Sequence, residues 1–178
     1  MKKNILVYGL ISGLIISALM AANLAMCSKS GDFDNSMIVG YASMLIAFSM
    51  IFVGIKNYRD KYLGGTISFG KAFKIGFFIT LIASTIYVLV WLLEEHFFFP
   101  DFMEKYMAYE MNKLQASGIS AAEIANKTKD FERAKEMYKN PFLKILFTYS
   151  EILPVGLIVT LISSLILKRK TSAVQSTN

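Results

Sequence analysis

The stretch that decides the fold runs from Ile75 to Leu93 and reads IGFFITLIASTIYVLVWLL. It contains no charged side chain, and as a helix it is long enough to cross a hydrocarbon core about 30 Å thick. Three further runs have the same character: Ile5–Met26, Met37–Ile55 and Ile145–Leu167. Backbone groups inside a bilayer must be hydrogen-bonded internally, and runs of this length satisfy that requirement as helices. The sequence therefore predicts an all-α, polytopic membrane protein with four transmembrane helices, at residues 5–26, 37–55, 75–93 and 145–167.

Composition supports a single membrane domain that covers residues 1–178. Hydrophobic residues make up 54% of the chain and charged residues only 18%, which is unusually apolar for a soluble domain. A chain of 178 residues has too little additional sequence to bury four such helices inside a soluble shell. A soluble globular enzyme is therefore excluded.

The distribution of basic residues predicts the orientation. The N terminus, the 56–74 connection and the C terminus lie on the same side of the predicted helices. Together they contain ten Lys and Arg residues, including Lys168, Arg169 and Lys170, and only one acid. By the positive-inside rule this side is cytoplasmic. The formal net charge of +6 thus reflects topology and attraction to anionic lipid rather than nucleic-acid binding.

Residues 94–140 form the largest polar segment and are predicted to be an extracytoplasmic helical hairpin between helices 3 and 4. Met103, Met107 and Met111 recur at helical spacing before Gly118, and a capping box at Ser120 then opens a second helix. The hairpin either packs on itself or lies on the membrane surface. Methionine at this spacing, without cysteine beside it, indicates packing rather than a metal site.

The first run resembles a bacterial lipoprotein signal because it ends at Cys27. However, Met26 stands where such a signal requires a small residue, and three more runs follow, so we expect the first run to be retained. It also carries a stripe of small residues at four-residue spacing, Gly9, Gly13, Ser17, Ala21 and Ala25. This stripe predicts close helix packing within the bundle, with homo-oligomerisation as the alternative.

The cytoplasmic connection predicts an interfacial anchor. Gly64 and Gly65 break the second helix, and Ser68 is placed to cap the third. Aromatic and basic side chains suited to the headgroup layer follow the cap at Phe69, Lys71, Phe73 and Lys74.

Glu151 is the intramembrane residue most suggestive of function. It lies in the fourth run, three residues before Pro154, which cannot donate a hydrogen bond to the carbonyl of Ser150. Acids at membrane depth are candidates for proton or cation sites. The structural alternative is a carboxyl group that is protonated, bonded to Tyr87, Ser84 or Asn23 of other helices, or lifted by helix tilt towards the outer interface. The candidate polar site is therefore Glu151, Pro154 and Tyr87.

Three segments resemble the four-span membrane proteins of Bacteroidota grouped as a domain of unknown function, DUF4199. They are GGTISFGKAFKIG at 64–76, YKNP at 138–141 and EILPVGL at 151–157. The resemblance implies a bacterial inner-membrane setting and brings no catalytic residue.

No motif for an enzyme, a bound cofactor or a metal accompanies the four runs. We therefore expect a non-enzymatic accessory or scaffold protein of the inner membrane. Its surroundings would be the lipid bilayer and a membrane-protein partner or a second copy of itself. The alternative is a small oligomeric transporter or ion-coupled carrier that uses Glu151 and Pro154 at a helix break.

Overall fold

The computed structural model describes residues 1–169, and this part of the chain is all-helical. Its six helices are α1 (Lys2–Ser30), α2 (Phe33–Tyr62), α3 (Phe69–Phe97), α4 (Phe102–Ala116), α5 (Ala121–Tyr138) and α6 (Pro141–Leu167). Lys170 of the predicted cytoplasmic cluster lies outside the described residues.

Four helices, α1, α2, α3 and α6, are long and apolar enough to cross a membrane. They contain 27 to 30 residues, so each is roughly 40–45 Å long and exceeds a hydrocarbon core of about 30 Å. Each therefore extends beyond the apolar run that predicted it. The helix of the fourth run begins at Pro141 because the Asn140 side chain accepts hydrogen bonds from the first backbone N–H groups.

The four long helices form an antiparallel bundle in which α1 and α6 each pack against both α2 and α3. One end of the bundle carries the N terminus, the α2–α3 connection and the end of α6, and we call it the termini end. The opposite end carries α4 and α5 and is called the hairpin end. Large apolar side chains such as Leu14, Ile38 and Ile158 remain exposed on the outer surface, as expected for a bundle solvated by lipid.

Small residues allow the helices to approach closely, as predicted for α1. A Cβ atom added at Gly13 would lie 2.5 Å from Cδ1 of Ile86, and one added at Gly9 would lie 2.8 Å from Ile82. The stripe therefore packs against α3, although its last member, Ala25, is exposed.

The α3–α6 contact combines close approach with a buried hydrogen bond. The hydroxyls of Thr80 and Thr160 lie 3.0 Å apart, and neither side chain is exposed. A Cβ atom at Gly156 would collide with Thr80 and with the ring of Phe48. In a bilayer, small residues and shared hydroxyls of this kind are what hold helices together.

The termini end is closed by polar contacts. Ile67, in the α2–α3 connection, exchanges two backbone hydrogen bonds with Arg169, of 3.2 and 2.9 Å. The buried Arg59 guanidinium donates a hydrogen bond of 3.4 Å to the carbonyl of Leu167, the last residue of α6, and pairs with Asp60. A cation at this position also interacts favourably with the negative, C-terminal end of the α6 helix dipole.

Candidate functional site

A cavity of about 330 Å³ lies at the hairpin end of the bundle, among all six helices. It is within the usual size range of small-molecule sites. Its wall is mostly aromatic and apolar, and eight aromatic rings line it: Phe33, Tyr41, Tyr87, Trp91, Phe102, Tyr106, Tyr138 and Phe147.

The roof of the cavity is an aromatic cluster that joins the hairpin to the bundle. The Trp91 indole Nε1 of α3 donates a hydrogen bond of 2.9 Å to the Tyr138 hydroxyl of α5. Phe102 of α4 packs edge-on against Trp91, with ring centroids 5.1 Å apart. Phe33 at the start of α2 contacts Phe102 and Tyr106 with centroid separations of 5.9 and 5.7 Å. The hairpin therefore covers the end of the bundle.

Two ion pairs lie beside this roof, one between two bundle helices and one between the hairpin and α2. Lys144 of α6 pairs with Glu95 of α3 at 2.7 Å, and both side chains are only 15% exposed. The same ammonium group lies 5.0 Å from the ring centroid of Tyr138, within cation–π range. Lys113 of α4 pairs with Asp34 of α2 at 2.7 Å on the exposed surface. Each of these two lysines is thus neutralised by a carboxylate.

Burial raises the pKa of the Tyr138 phenol above its ordinary value. The indole N–H of Trp91 opposes this shift, whereas the carboxylates of Glu95 and Glu151 reinforce it. Tyr138 therefore stays protonated at neutral pH and can accept the indole hydrogen bond while donating its own proton.

Among residues 1–169, Glu151 is the one acid that lines the cavity, and no Lys, Arg or His of this part of the chain lines it. Of the structural alternatives for Glu151, the hydrogen bond to Tyr87, Ser84 or Asn23 is not formed among the described residues. Asn23 instead donates to the carbonyl of Ser36 at 2.8 Å, and the buried Ser84 hydroxyl has no partner among the described residues. Within residues 1–169 no side chain is hydrogen-bonded to Glu151.

The cavity opens laterally between α2 and α6. Met37 and Tyr41 on α2, and Phe147 and Glu151 on α6, all line it and all remain exposed. Since α2 and α6 are both long and apolar enough to cross a membrane, an opening between them would face lipid rather than water. Glu151 therefore lies where the cavity meets this opening.

The cavity is closed towards the termini end by a packed floor. Phe48 and Ile152 lie one helical turn closer to the termini end than the lining residues Met44 and Thr148. Both side chains are completely buried. About one turn further towards the termini end, Thr80 and Gly156 bring α3 and α6 into direct contact. The described helices therefore enclose a blind cavity rather than a continuous path through the bundle.

The structure brings Glu151 and Tyr87 to the same cavity but separates Pro154 from them. Pro154 lies about one turn closer to the termini end, is exposed and does not line the cavity. Helix α6 continues through Pro154 without interruption, so the missing N–H of this residue does not break the helix. The prediction of a helix break at this position is wrong.

Comparison with known proteins assigns the chain to a family. Residues 7–169 match the family described as "Protein of unknown function (DUF4199)". The chain belongs to the DUF4199 family. No curated protein and no solved structure matches this DUF4199 chain.

The residues of the DUF4199 chain that were predicted to form an interfacial anchor lie at the opposite end from the cavity. Ser68 caps α3 by accepting a hydrogen bond of 3.4 Å from the backbone N–H of Lys71. Phe69 and Phe73 are neighbours with ring centroids 5.8 Å apart, and Lys71 and Lys74 are exposed. Aromatic rings flanked by lysines suit the boundary between lipid and water.

The methionines of the hairpin serve packing. Met107 and Met111 of α4 line a smaller depression together with Phe131 of α5, and the Thr128 hydroxyl lies 3.7 Å from the sulfur of Met111. Met103 instead lines the main cavity. Residues 1–169 contain no group of three or more His, Cys, Asp or Glu side chains that could hold a metal ion.

Sequence reasoning missed the aromatic part of the site. Trp91 and Phe147 lie within apolar runs, where hydropathy does not distinguish a cavity lining from a lipid-facing or core position, while Phe33 and Phe102 lie at helix starts. A signal was available, because Trp and Tyr concentrate at membrane interfaces where an apolar ring can also use a polar tip.

Proposed function

We propose that the protein is a non-enzymatic accessory protein of the bacterial inner membrane that binds a molecule on its extracytoplasmic side. The blind cavity carries this proposal. A cavity that is lined by aromatic rings, open to one leaflet and closed by a packed floor suits binding, whereas transport would require a second opening.

The proposed orientation places both termini and the α2–α3 connection in the cytoplasm. Ten basic residues in the sequence fall on that side, and the exposed Lys71 and Lys74 belong to this set. The cavity and the hairpin then face the extracytoplasmic side. The exposed surface of the hairpin is the part available to a membrane-protein partner.

Thiol accessibility on the two sides of the floor tests the binding role. Thr148→Cys and Thr160→Cys form a matched pair on α6, because Thr148 lines the cavity and Thr160 lies below the floor. In cells whose native Cys27 is replaced by Ser, a thiol reagent with a charged, membrane-impermeant head group on an apolar chain can enter the outer leaflet without crossing the membrane, and it should label position 148 from the extracytoplasmic side only. Position 160 should react at least about tenfold more slowly from either side.

The second candidate function is a small ion-coupled carrier, and the position of Glu151 favours it. An acid in the cavity, close to the floor, is where a proton or cation could be exchanged if the floor opened. Labelling at position 160 from the cytoplasmic side, at a rate similar to that at position 148, would support this carrier and contradict the proposed binding role. Cation flux into liposomes that is abolished by Glu151→Gln would do the same.

A further inference from the structure

We propose that the cavity binds a lipophilic cation, an amine or quaternary ammonium group carried on an apolar body, with the charge held near Glu151 and the body among the aromatic rings. This inference rests on the proposed binding role of the cavity and adds the chemical class of its ligand.

Charge complementarity is the first argument. In the part of the chain that the structure describes, Glu151 is the one acid in the lining, and no cationic side chain lines the cavity with it. The nearest lysine to the roof, Lys144, is already paired with Glu95. One further acid, Glu94, lies one turn beyond Trp91 and has a buried carboxylate oxygen without a described hydrogen-bond partner. A ligand in the cavity meets the acidic side chain of Glu151 with no cationic side chain in the described lining to offset it, so a positive charge is favoured.

The aromatic wall is the second argument. The faces of Trp and Tyr rings attract cations, and quaternary ammonium groups are commonly bound in cages of such rings. Trp91, Tyr87, Tyr41 and Tyr138 all line the cavity. Phenol and indole rings can stabilise a desolvated ammonium group, so a second carboxylate is not required.

The lateral opening is the third argument and identifies the route of entry. The opening lies between α2 and α6 and is flanked by the exposed side chains of Met37, Tyr41 and Phe147. A ligand dissolved in the leaflet can enter between these helices, whereas a small hydrophilic cation would have to leave water first. The ligand is therefore expected to carry an apolar body.

Fluorescence of Trp91 provides a local measurement, because Trp91 is the only tryptophan of the chain and lines the cavity. The purified protein in an uncharged maltoside detergent would be titrated with n-octyltrimethylammonium. Uncharged n-octanol, anionic octyl sulfate and tailless tetramethylammonium would be titrated in parallel. We expect saturable quenching or a spectral shift with n-octyltrimethylammonium, and binding at least about tenfold weaker for the other three probes.

Variants then test the role of the carboxylate. Glu151→Gln keeps the size of the side chain and should raise the Kd of n-octyltrimethylammonium by about tenfold, while Glu151→Asp keeps the charge and should retain most of the affinity. Glu132→Gln, at an exposed acid of α5 outside the cavity, is the matched control and should leave the Kd unchanged. The comparison of the four probes on the unaltered protein remains decisive even if a variant does not fold.

The proposal is overturned if octanol or octyl sulfate binds as tightly as the cation, or if Glu151→Gln folds and binds the cation unchanged. Equal affinity for tetramethylammonium would overturn the requirement for an apolar body. Absence of saturable n-octyltrimethylammonium binding, combined with one-sided labelling of Thr148→Cys, would reject the ligand class and leave the binding role standing. Labelling of Thr160→Cys from the cytoplasmic side would instead reject the binding role.

Discussion

Adding a single methyl group at Gly13 should weaken the bundle measurably. In the α1–α3 contact, a Cβ atom at this position would lie 2.5 Å from Cδ1 of Ile86 and 2.9 Å from its Cβ. The first atom can rotate away, but the second is fixed to the backbone of α3. Ordinary carbon–carbon contacts lie at about 3.5–4.0 Å, so the two helices must separate locally by roughly 0.6–1 Å.

The cost follows from that separation. A radial gap of this size forfeits a quarter to a half of the dispersion energy of each contact it affects, and overpacking in cores typically costs about 1–3 kcal/mol. We therefore expect Gly13→Ala to lower the stability of the folded protein by about 1–3 kcal/mol. Leu14→Phe is the matched control, since Leu14 is 65% exposed on the outer surface and its enlargement should change stability by less than about 0.5 kcal/mol.

Thermal unfolding in one detergent, followed by circular dichroism, would measure the difference. Gly13→Ala and Ile86→Ala should not be additive, with a coupling energy of about 0.5–3 kcal/mol, because Ile86→Ala removes the close contacts of Cδ1 and Cγ1 and leaves only the contact with Cβ at 2.9 Å. Equal melting temperatures for Gly13→Ala and Leu14→Phe would refute the close α1–α3 contact. Strict additivity of Gly13→Ala and Ile86→Ala would show that these two residues do not meet.

Three further predictions concern the hairpin and its attachment. Lys144→Met should destabilise the fold by about 3–5 kcal/mol, since it leaves Glu95 buried without a partner, and adding Glu95→Leu should restore most of the melting temperature. Hydrogen bonds from Ser120 lower the pKa of Glu123, so the stability they provide is present at neutral pH and is lost as the pH falls through that lowered value. Amide protection factors at the start of α5, which are corrected for the intrinsic pH dependence of exchange, should fall on acidification, and Ser120→Ala should reduce this effect because it removes the side-chain hydrogen bond and keeps the backbone one. In cells without the native cysteine, Ser117→Cys should react with an impermeant thiol reagent before permeabilisation; reaction only afterwards would reverse the proposed topology.

Local sequence chemistry predicted much of the fold because several of its signals act within a few residues. The apolar runs identified the four long helices, and the capping box at Ser120 predicted the start of α5. The ends of the long helices were less predictable, since a helix continues beyond the hydrocarbon core wherever a cap allows it. The start of α6 at Pro141 depends on the Asn140 cap rather than on hydropathy.

The site was only half predictable because its parts meet through tertiary packing. Glu151 stood out as a charge within an apolar run, and Tyr87 was a reasonable neighbour. The aromatic roof depends on the hairpin folding over the bundle, which brings Phe33 and Phe102 together across about 70 residues of chain. Hydrophobic periodicity contains no information about contacts over that separation.

The tie between Ile67 and Arg169 has a consequence for biogenesis. Helices enter a membrane in the order of synthesis, and the Arg59 guanidinium reaches its acceptor at Leu167 across a separation of 108 residues. While α3, α4 and α5 are synthesised, the hydrogen-bonding groups of Ile67 and Arg59 therefore remain exposed to water, because their partners at the end of α6 do not yet exist. The chain can complete this end of the bundle only after α6 has been inserted, so docking of the last helix is the step at which the nascent protein becomes a closed bundle.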